Sequence, residues 1–336
     1  MTARPQVLNL DSRHDYAIEN KTITAAGADL ILRKCATEDE IIAAGADVDV
    51  VLVEASQVTA RAIAQFRRCR GIVMYGVGYD RIDVAAATAA GIVVANVADY
   101  CTEEVADHAA ALLLAMARRV TVMDRTIRAG GWYNFPAYGP LRRLNHLTLG
   151  LVGLGRIARG VAKRMAGFGV RVIATDPYLP AGATEPGVEI LALDRLLGES
   201  DLISIHVPLL PATRGLIGEK ELRAMKPTAL LVNTSRGPVV NEEALVRALA
   251  EKWIAGAALD VVTVEPLPAA SPLRQFEQVI FTPHYGASSA EAEEQLARTV
   301  GESAAALVQG YWPRFPVNPS VKLRVPLRPW SERPRG

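Results

Sequence analysis

Cysteine is scarce in this 336-residue chain, where Cys35, Cys69 and Cys101 are the only three. An odd number so widely scattered suggests neither a disulfide framework nor a metal cage, so all three read as small buried or loop residues. An excess of either charge is lacking too. Lysine and arginine total 37 against 36 acids, a formal net charge of +1, which leaves no electrostatic footprint for nucleic acid or an anionic membrane. No uninterrupted apolar run reaches the roughly 18 residues that a membrane span needs. Nor does the amino terminus combine the basic, apolar and cleavage-site regions of a secretory signal. These absences predict a cytoplasmic chain whose partners are small molecules or proteins. Half of the residues are apolar, enough for the two cores that a chain longer than about 250 to 300 residues tends to form.

What is present is centred on residues 147–176. An apolar run, Leu149-Gly150-Leu151-Val152, leads into Gly153-Leu154-Gly155-Arg156-Ile157-Ala158. Ile157, Val161, Met165 and Phe168 then recur at helical spacing, and a second apolar run, residues 170–174, closes the unit before Asp176. The pattern predicts strand, glycine turn, helix, strand. Gly153 permits the tight turn and Gly155 leaves room for a pyrophosphate against the backbone. The helix amino terminus, at Arg156 and Ile157, offers free N–H groups to the negative charge. Ala158 stands at the third glycine position, which requires only close helix-to-strand packing. Asp176, at the end of the second strand, would accept hydrogen bonds from an adenosine ribose and repel a 2′-phosphate, which predicts NAD rather than NADP.

Before this unit, strand patterns at residues 6–10, 29–32, 50–53, 71–74 and 92–95 alternate with helical ones. Among the helices are residues 37–44, where Thr37 and Glu40 form a capping box, and residues 59–68. Such alternation implies a parallel sheet with helices on both faces. In the loop Tyr75-Gly76-Val77-Gly78-Tyr79-Asp80 two glycines let the N–H groups of Val77 and Gly78 face outward as a seat for a carboxylate, although a plain glycine turn fits equally well. A long helix is predicted over residues 102–119, with Thr102 as cap and Arg118 and Arg119 in its last turn. Its apolar middle predicts burial on more than one side and contact with a second subunit, and His108 within it reads as a packed or interfacial histidine. Residues 130–145, with Trp132, Tyr133, Phe135 and Tyr138, read as a long connecting loop.

Strands recur at residues 202–206, 229–233, 255–260 and 279–281, with a helix over 241–251 capped by Asn241. This makes a second doubly wound parallel-sheet α/β domain, residues 101–286, inserted into the first, residues 1–100 and 287–336. The amphipathic stretch 290–308 would return to the first domain, and the basic residues Lys322, Arg324, Arg328, Arg333 and Arg335 predict a frayed tail over 321–336. Near the carboxyl ends of the late strands stand Arg236 in Asn233-Thr234-Ser235-Arg236-Gly237, Glu265 before Pro266, and His284 in Thr282-Pro283-His284-Tyr285. Singly these read as a loop salt bridge, a turn acid and a buried ring. Together they suit redox chemistry on a hydroxy or keto acid, with no need of a metal. A guanidinium holds a carboxylate and polarises the adjacent carbonyl, while an imidazole oriented by a carboxylate moves the proton.

On these motifs the chain resembles the D-isomer-specific 2-hydroxyacid dehydrogenases over about residues 45–320. The resemblance implies a Rossmann NAD-binding domain inserted into a flavodoxin-like substrate domain, NAD(H) as cofactor and a small 2-keto or 2-hydroxy acid as substrate. It implies that Arg236 binds substrate, that His284 and Glu265 form the acid–base pair, and that the backbone of Val77 and Gly78 meets the substrate carboxylate. On the cofactor side it implies Gly153, Gly155, Arg156, Ile157, Asp176, His206, Val207, Pro208, Thr213, Thr234 and Gly286, with Asp260 beside the nicotinamide amide. A homodimer through the nucleotide domains is expected. His146 reads as a loop residue, and His206 as lying near the adenosine with no catalytic duty.

Within the family, Asp99-Tyr100-Cys101, residues 103–108 and Asp176-Pro177-Tyr178-Leu179 resemble the C-terminal-binding-protein branch, whose eukaryotic members act as NAD-responsive corepressors. A protein-binding module controlled by NAD is therefore a second expectation, and phosphite oxidation a third. Formate enzymes carry glutamine where Glu265 stands, which argues against formate. Residues 144–146 lack the glycine usual before the nucleotide unit. Tyr285 follows His284 where many members have a smaller or different residue, and would narrow the pocket.

Overall fold

Short runs such as Val50-Val51-Leu52-Val53 are buried at every position, the mark of a parallel sheet covered on both faces. In the computed structural model, which describes residues 4–12, 15–132, 141–180, 182, 184–185 and 187–333, two such sheets occur in two compact units. One consists of Met1–Tyr100 with Ser289–Gly336, the other of Cys101–Ser288.

The first unit has five parallel strands, β1 (Gln6–Asn9), β2 (Asp29–Leu32), β3 (Val50–Val53), β4 (Gly71–Met74) and β5 (Val93–Ala95), in the order β2-β1-β3-β4-β5. That is the flavodoxin-like order. Helices α1 (Ala17–Ala25), α2 (Glu38–Gly45), α3 (Ala60–Gln65) and α4 (Val84–Ala89) surround it. Thr37 and Glu40 make the predicted capping box, each accepting from the other's backbone N–H. The helix predicted over 59–68 ends at Gln65, because Phe66 turns extended and drives its ring into the core against Gly45. The helix Ala290–Val308 packs on α1, β3 and β4, with Val300, Ala304 and Leu307 in the core.

The frayed tail is corrected by the structure over its described residues. Arg324 donates from Nη1 to the carbonyls of Phe66 (2.6 Å) and Arg67 (3.1 Å) and from Nε to that of Ala90 (3.2 Å). Phe66 and Ala90 are the C-caps of α3 and α4, so this basic side chain satisfies the orphan carbonyls at helix ends. Val321 is buried, Leu323 and Leu327 pack on the same core, and the Arg328 guanidinium lies 4.0 Å above the Tyr311 ring. Arg335 lies outside the described residues, as do Tyr133, Phe135 and Tyr138 of the predicted connecting loop.

The second unit has an eight-stranded sheet. Its strands are β6 (Thr148–Val152), β7 (Arg171–Thr175), β8 (Thr184–Glu185), β9 (Val188–Ile190), β10 (Leu202–Ile205), β11 (Leu230–Asn233), β12 (Gly256–Leu259) and β13 (Val279–Phe281). They lie in the order β13-β12-β11-β10-β6-β7-β9-β8, and only the β8–β9 pair is antiparallel. The order of addition reverses at β6 and β10, so their carboxyl ends flank the crevice where a doubly wound sheet binds its ligand. Helices α5 (Thr102–Ala117), α6 (Val120–Arg128) and α7 (Arg156–Ala166) precede α8 (Leu193–Glu199), α9 (Glu219–Ala224) and α10 (Glu242–Ala250). Residues from α5 and α7 form the core on one face of the sheet, and residues from α8, α9 and α10 that on the other.

Three expectations need correction here. Cys101, not Thr102, is the N-cap of α5, and α5 stops at Ala117 because Arg119 takes a left-handed φ of 52° and starts α6 as a separate helix. Phe168 falls beyond the end of α7 and is 47% exposed, whereas Ala158 and Ala162 join Val161 and Met165 on the buried face. β9 and α8, too short to show a period, were not predicted. Among the described residues no helix is long and apolar enough to cross a membrane.

Candidate active site

The turn after β6 is built on glycine. Gly153 has a φ of +90°, and a Cβ there would lie 2.9 Å from Val207 Cγ1 and 3.1 Å from the His206 carbonyl carbon. Only glycine both adopts that φ and lets the chain pass the end of β10 so closely. At Gly155 a Cβ would meet nothing within 4 Å, so open space faces the amino terminus of α7, where Arg156 and Ile157 are the first residues. Asp176 follows β7. Its Oδ2 accepts from Leu154 N (2.9 Å) and its Oδ1 from Tyr178 N (3.0 Å), so the carboxylate expected at a ribose also closes the glycine turn.

Two buried polar atoms stand at the carboxyl ends of the next strands. His206 Nε2, after β10, and Thr234 Oγ1, after β11, have no hydrogen-bond partner among the described residues. Buried polar atoms are rarely left unpaired. Burial pushes the His206 imidazole down to about 4, so it is neutral near pH 7. Open space at Gly155, the positive end of a helix, an acid at the second strand and two unpaired polar atoms together fit a dinucleotide. Thr213 serves the loop itself: its hydroxyl accepts from Leu210 N (2.8 Å) and donates to Pro208 O (2.5 Å). The Val207 carbonyl accepts from the Ser235 hydroxyl.

Arg236 is positioned by Asn233, the buried last residue of β11. Asn233 Oδ1 accepts from Ser235 N and its Nδ2 donates to Arg236 O, both at 3.0 Å. The Arg236 guanidinium donates to Ser235 O (2.9 Å), and its charge acts on Glu265. Glu265 Oε2 lies 2.7 Å from His284 Nδ1, and Glu265 Oε1 accepts from Val262 N (3.3 Å). Burial alone would raise the pKa of Glu265, but the His284 hydrogen bond and charge, the Val262 amide and the Arg236 charge outweigh it and hold the carboxyl below its ordinary range. An ionised carboxylate only accepts, so His284 carries a proton on Nδ1 and Nε2 is left to exchange one. The ring is 43% exposed. His284 has a left-handed φ of 56°, uncommon for a residue with a side chain.

The segment that carries His284 is anchored on Asp260, the buried residue after β12. The Asp260 carbonyl accepts from His284 N (2.8 Å), its Oδ1 from Thr282 Oγ1 (2.6 Å) and Tyr285 N (3.0 Å), and its Oδ2 from Gly286 N (3.1 Å). His108 Nε2, on α5, lies 2.9 Å from Thr282 Oγ1 and 3.4 Å from Asp260 Oδ1. Burial alone would raise the Asp260 pKa, but the donors from His108, Thr282, Tyr285 and Gly286 overcome it and bring it to about 2. The structure thus places both Asp260 oxygens on the protein's own loop. His108, read as a packed histidine, does pack, against Gly286, and also joins this polar chain. Its signal in the sequence is a polar ring next to Asp107 at the start of the apolar run that continues through Ala109 and Ala110, and such a ring has to find a partner when buried.

In the first unit, the loop after β4 turns at Gly76, whose φ is +132°. Its carbonyls are taken: Gly76 O accepts from Val97 N (3.0 Å) and Val77 O from Asn96 Nδ2 (2.7 Å). The N–H groups of Val77 and Gly78 donate to no acceptor among the described residues, the arrangement of an anion seat.

Residues 110–286 match the family described as D-isomer specific 2-hydroxyacid dehydrogenase, NAD binding domain. A glyoxylate reductase of Korarchaeum cryptofilum is 46% identical over 265 residues, 77% of this chain and 79% of that protein. A D-3-phosphoglycerate dehydrogenase of Mycobacterium tuberculosis is 40% identical over 274 residues, 81% of this chain and 51% of that protein. The crystal structure of a glyoxylate reductase from Paecilomyes thermophila superposes with a TM-score of 0.84 at 28% identity, covering 95% of this chain and 99% of the other.

Proposed function

The chain belongs to the D-isomer-specific 2-hydroxyacid dehydrogenase family and is an NAD-dependent enzyme, and we propose that it reduces a small 2-keto acid, glyoxylate first among them, to the D-2-hydroxy acid, and catalyses the reverse. The observation that carries this reading is the Glu265–His284 pair at 2.7 Å with the Arg236 charge acting on the same carboxylate. Glyoxylate is favoured by the Korarchaeum relative.

Bound NADH supplies the hydride. Arg236 holds the substrate carboxylate and draws charge onto the neighbouring carbonyl oxygen. His284 gives its Nε2 proton to the forming alkoxide and regains one there from solvent, while Glu265 keeps Nδ1 protonated and stabilises the imidazolium. Within the first unit, the amides of Val77 and Gly78, free among the described residues, offer a seat for an anion. Asp176 supports NADH over NADPH. The enzyme works as a homodimer in the cytoplasm. Exposed Val120 and Ile127 on α6, with Trp132 and Phe281 nearby in the sequence and at the sheet edge, support a second subunit on this unit.

Purified protein with NADH and a panel of 2-keto acids from glyoxylate to phenylpyruvate is expected to consume NADH with the small members. No consumption with any member overturns the reading. NAD binding together with capture of a protein partner would then favour the corepressor-like module, and NADH formation from phosphite the third alternative.

A further inference from the structure

His108 sits on α5 with 24% of its side chain exposed. The direction of its hydrogen bonds follows from chemistry. The Asp260 carboxylate only accepts, so the single hydroxyl proton of Thr282 goes to Asp260 Oδ1 at 2.6 Å, and Thr282 Oγ1 is left to accept from His108 Nε2 at 2.9 Å. His108 therefore carries a proton on Nε2. The charged group facing it is Asp260. On its own helix, Asp107 is paired with Arg164.

The same Asp260 anchors three consecutive amides, those of His284, Tyr285 and Gly286. The His108 ring also closes on this segment directly, since a Cβ at Gly286 would lie 3.2 Å from His108 Cδ2 and 3.0 Å from Asp260 Oδ2. His284 keeps a left-handed backbone conformation, which a residue with a side chain holds only when its surroundings enforce it.

We propose that His108 is a positioning residue: its Nε2–H, acting through Thr282 and Asp260, holds residues 284–286 so that the His284 ring meets Glu265 through Nδ1. The inference rests on the role given to His284 above. It adds a residue that exchanges no proton with the substrate and acts through the loop. A glutamine at 108 presents an amide N–H near the same place and replaces the donor, whereas leucine fills the space without one.

The test compares the native protein with His108→Leu, His108→Gln and Thr282→Val. Long-range ¹H–¹⁵N spectra report the tautomer of the His284 ring, identified by its loss in His284→Gln, without any need for turnover. The native protein is expected to show the single Nδ1–H form, and His108→Leu a mixture of tautomers. Where the substrate panel gives turnover, kcat of His108→Leu should fall about tenfold, with KM and the NADH Kd within about twofold. His108→Gln should recover both readouts. Adding Thr282→Val to His108→Leu should cost little more, because the two act in one chain. An unchanged His284 spectrum in His108→Leu overturns the proposal, as does a His108→Gln protein impaired as fully as the leucine variant at an equal unfolding temperature. If leucine at 108 prevents folding, the Thr282→Val spectrum decides: a tautomer mixture supports the proposal, and a native spectrum overturns it. Absence of turnover with every keto acid would overturn the proposed reaction while the spectra still decide the role of His108.

Discussion

Gly237 and Val262 lie so close that a Cβ on Gly237 would overlap the Val262 carbonyl group, and it would fall 2.5 Å from Thr263 N. The loop that carries Arg236 is thereby laid directly on the loop that leads to Glu265, whose Oε1 accepts from Val262 N. Backbone cannot swing aside as a side-chain tip can. Gly237→Ala is therefore expected to lower stability by about 1–3 kcal/mol, the usual cost of overpacking, and to lower kcat/KM by roughly 100-fold through misplacement of reacting groups. Thermal unfolding and steady-state kinetics would measure the two effects, and native kinetics in a folded variant would show that the loops are not coupled.

His284→Ala should reduce turnover by roughly 100- to 10,000-fold, the scale of general acid–base catalysis, and leave NADH affinity intact. Glu265→Gln should give a smaller loss, because a neutral amide accepts from Nδ1–H more weakly than a carboxylate and holds the ring less firmly. Turnover by His284→Ala at the native rate would remove the acid–base role.

His206 sets a pH dependence of stability. Its ring is held at about 4 against an ordinary 6.5, so the unfolded chain takes up a proton that the folded one refuses. The contribution is fully present above about pH 6.5 and is lost as pH falls to about 4, by no more than about 3 kcal/mol. Asp260, held at about 2, loses its own contribution lower still, as pH falls from about 4 to about 2. Denaturant midpoints of the native protein and of His206→Gln between pH 7 and 4 should converge toward the acid end. Parallel curves would contradict the burial of a neutral ring.

Asp176→Ala should narrow the preference for NADH over NADPH by about tenfold, the equivalent of about 1.4 kcal/mol of relieved repulsion. Because Leu154 N also loses its acceptor, affinity for NADH should fall as well. Cofactor Kd values by fluorescence would show both, and a native preference for NADPH would overturn the assignment.

Much of this molecule is local and therefore legible in its sequence. Short β-branched runs, the Thr37 and Asn241 caps and the turn through Gly153 and Gly155 depend on neighbours within a few residues, so the two parallel sheets and the dinucleotide unit follow from residue order alone. Arg236, Glu265 and His284 stand out in the sequence as a guanidinium, a carboxylate and an imidazole near strand ends, but the 2.7 Å contact between Glu265 and His284 exists only in the fold. Tertiary structure decided what depends on distant partners. His108 finds Thr282 across 174 positions of chain, and Arg324 reaches the Phe66 carbonyl across 258. No periodicity records such pairings, which is why the one looked like a packing residue and the other like part of a loose tail. They form because buried donors and acceptors must be satisfied by whatever the fold brings within about 3 Å.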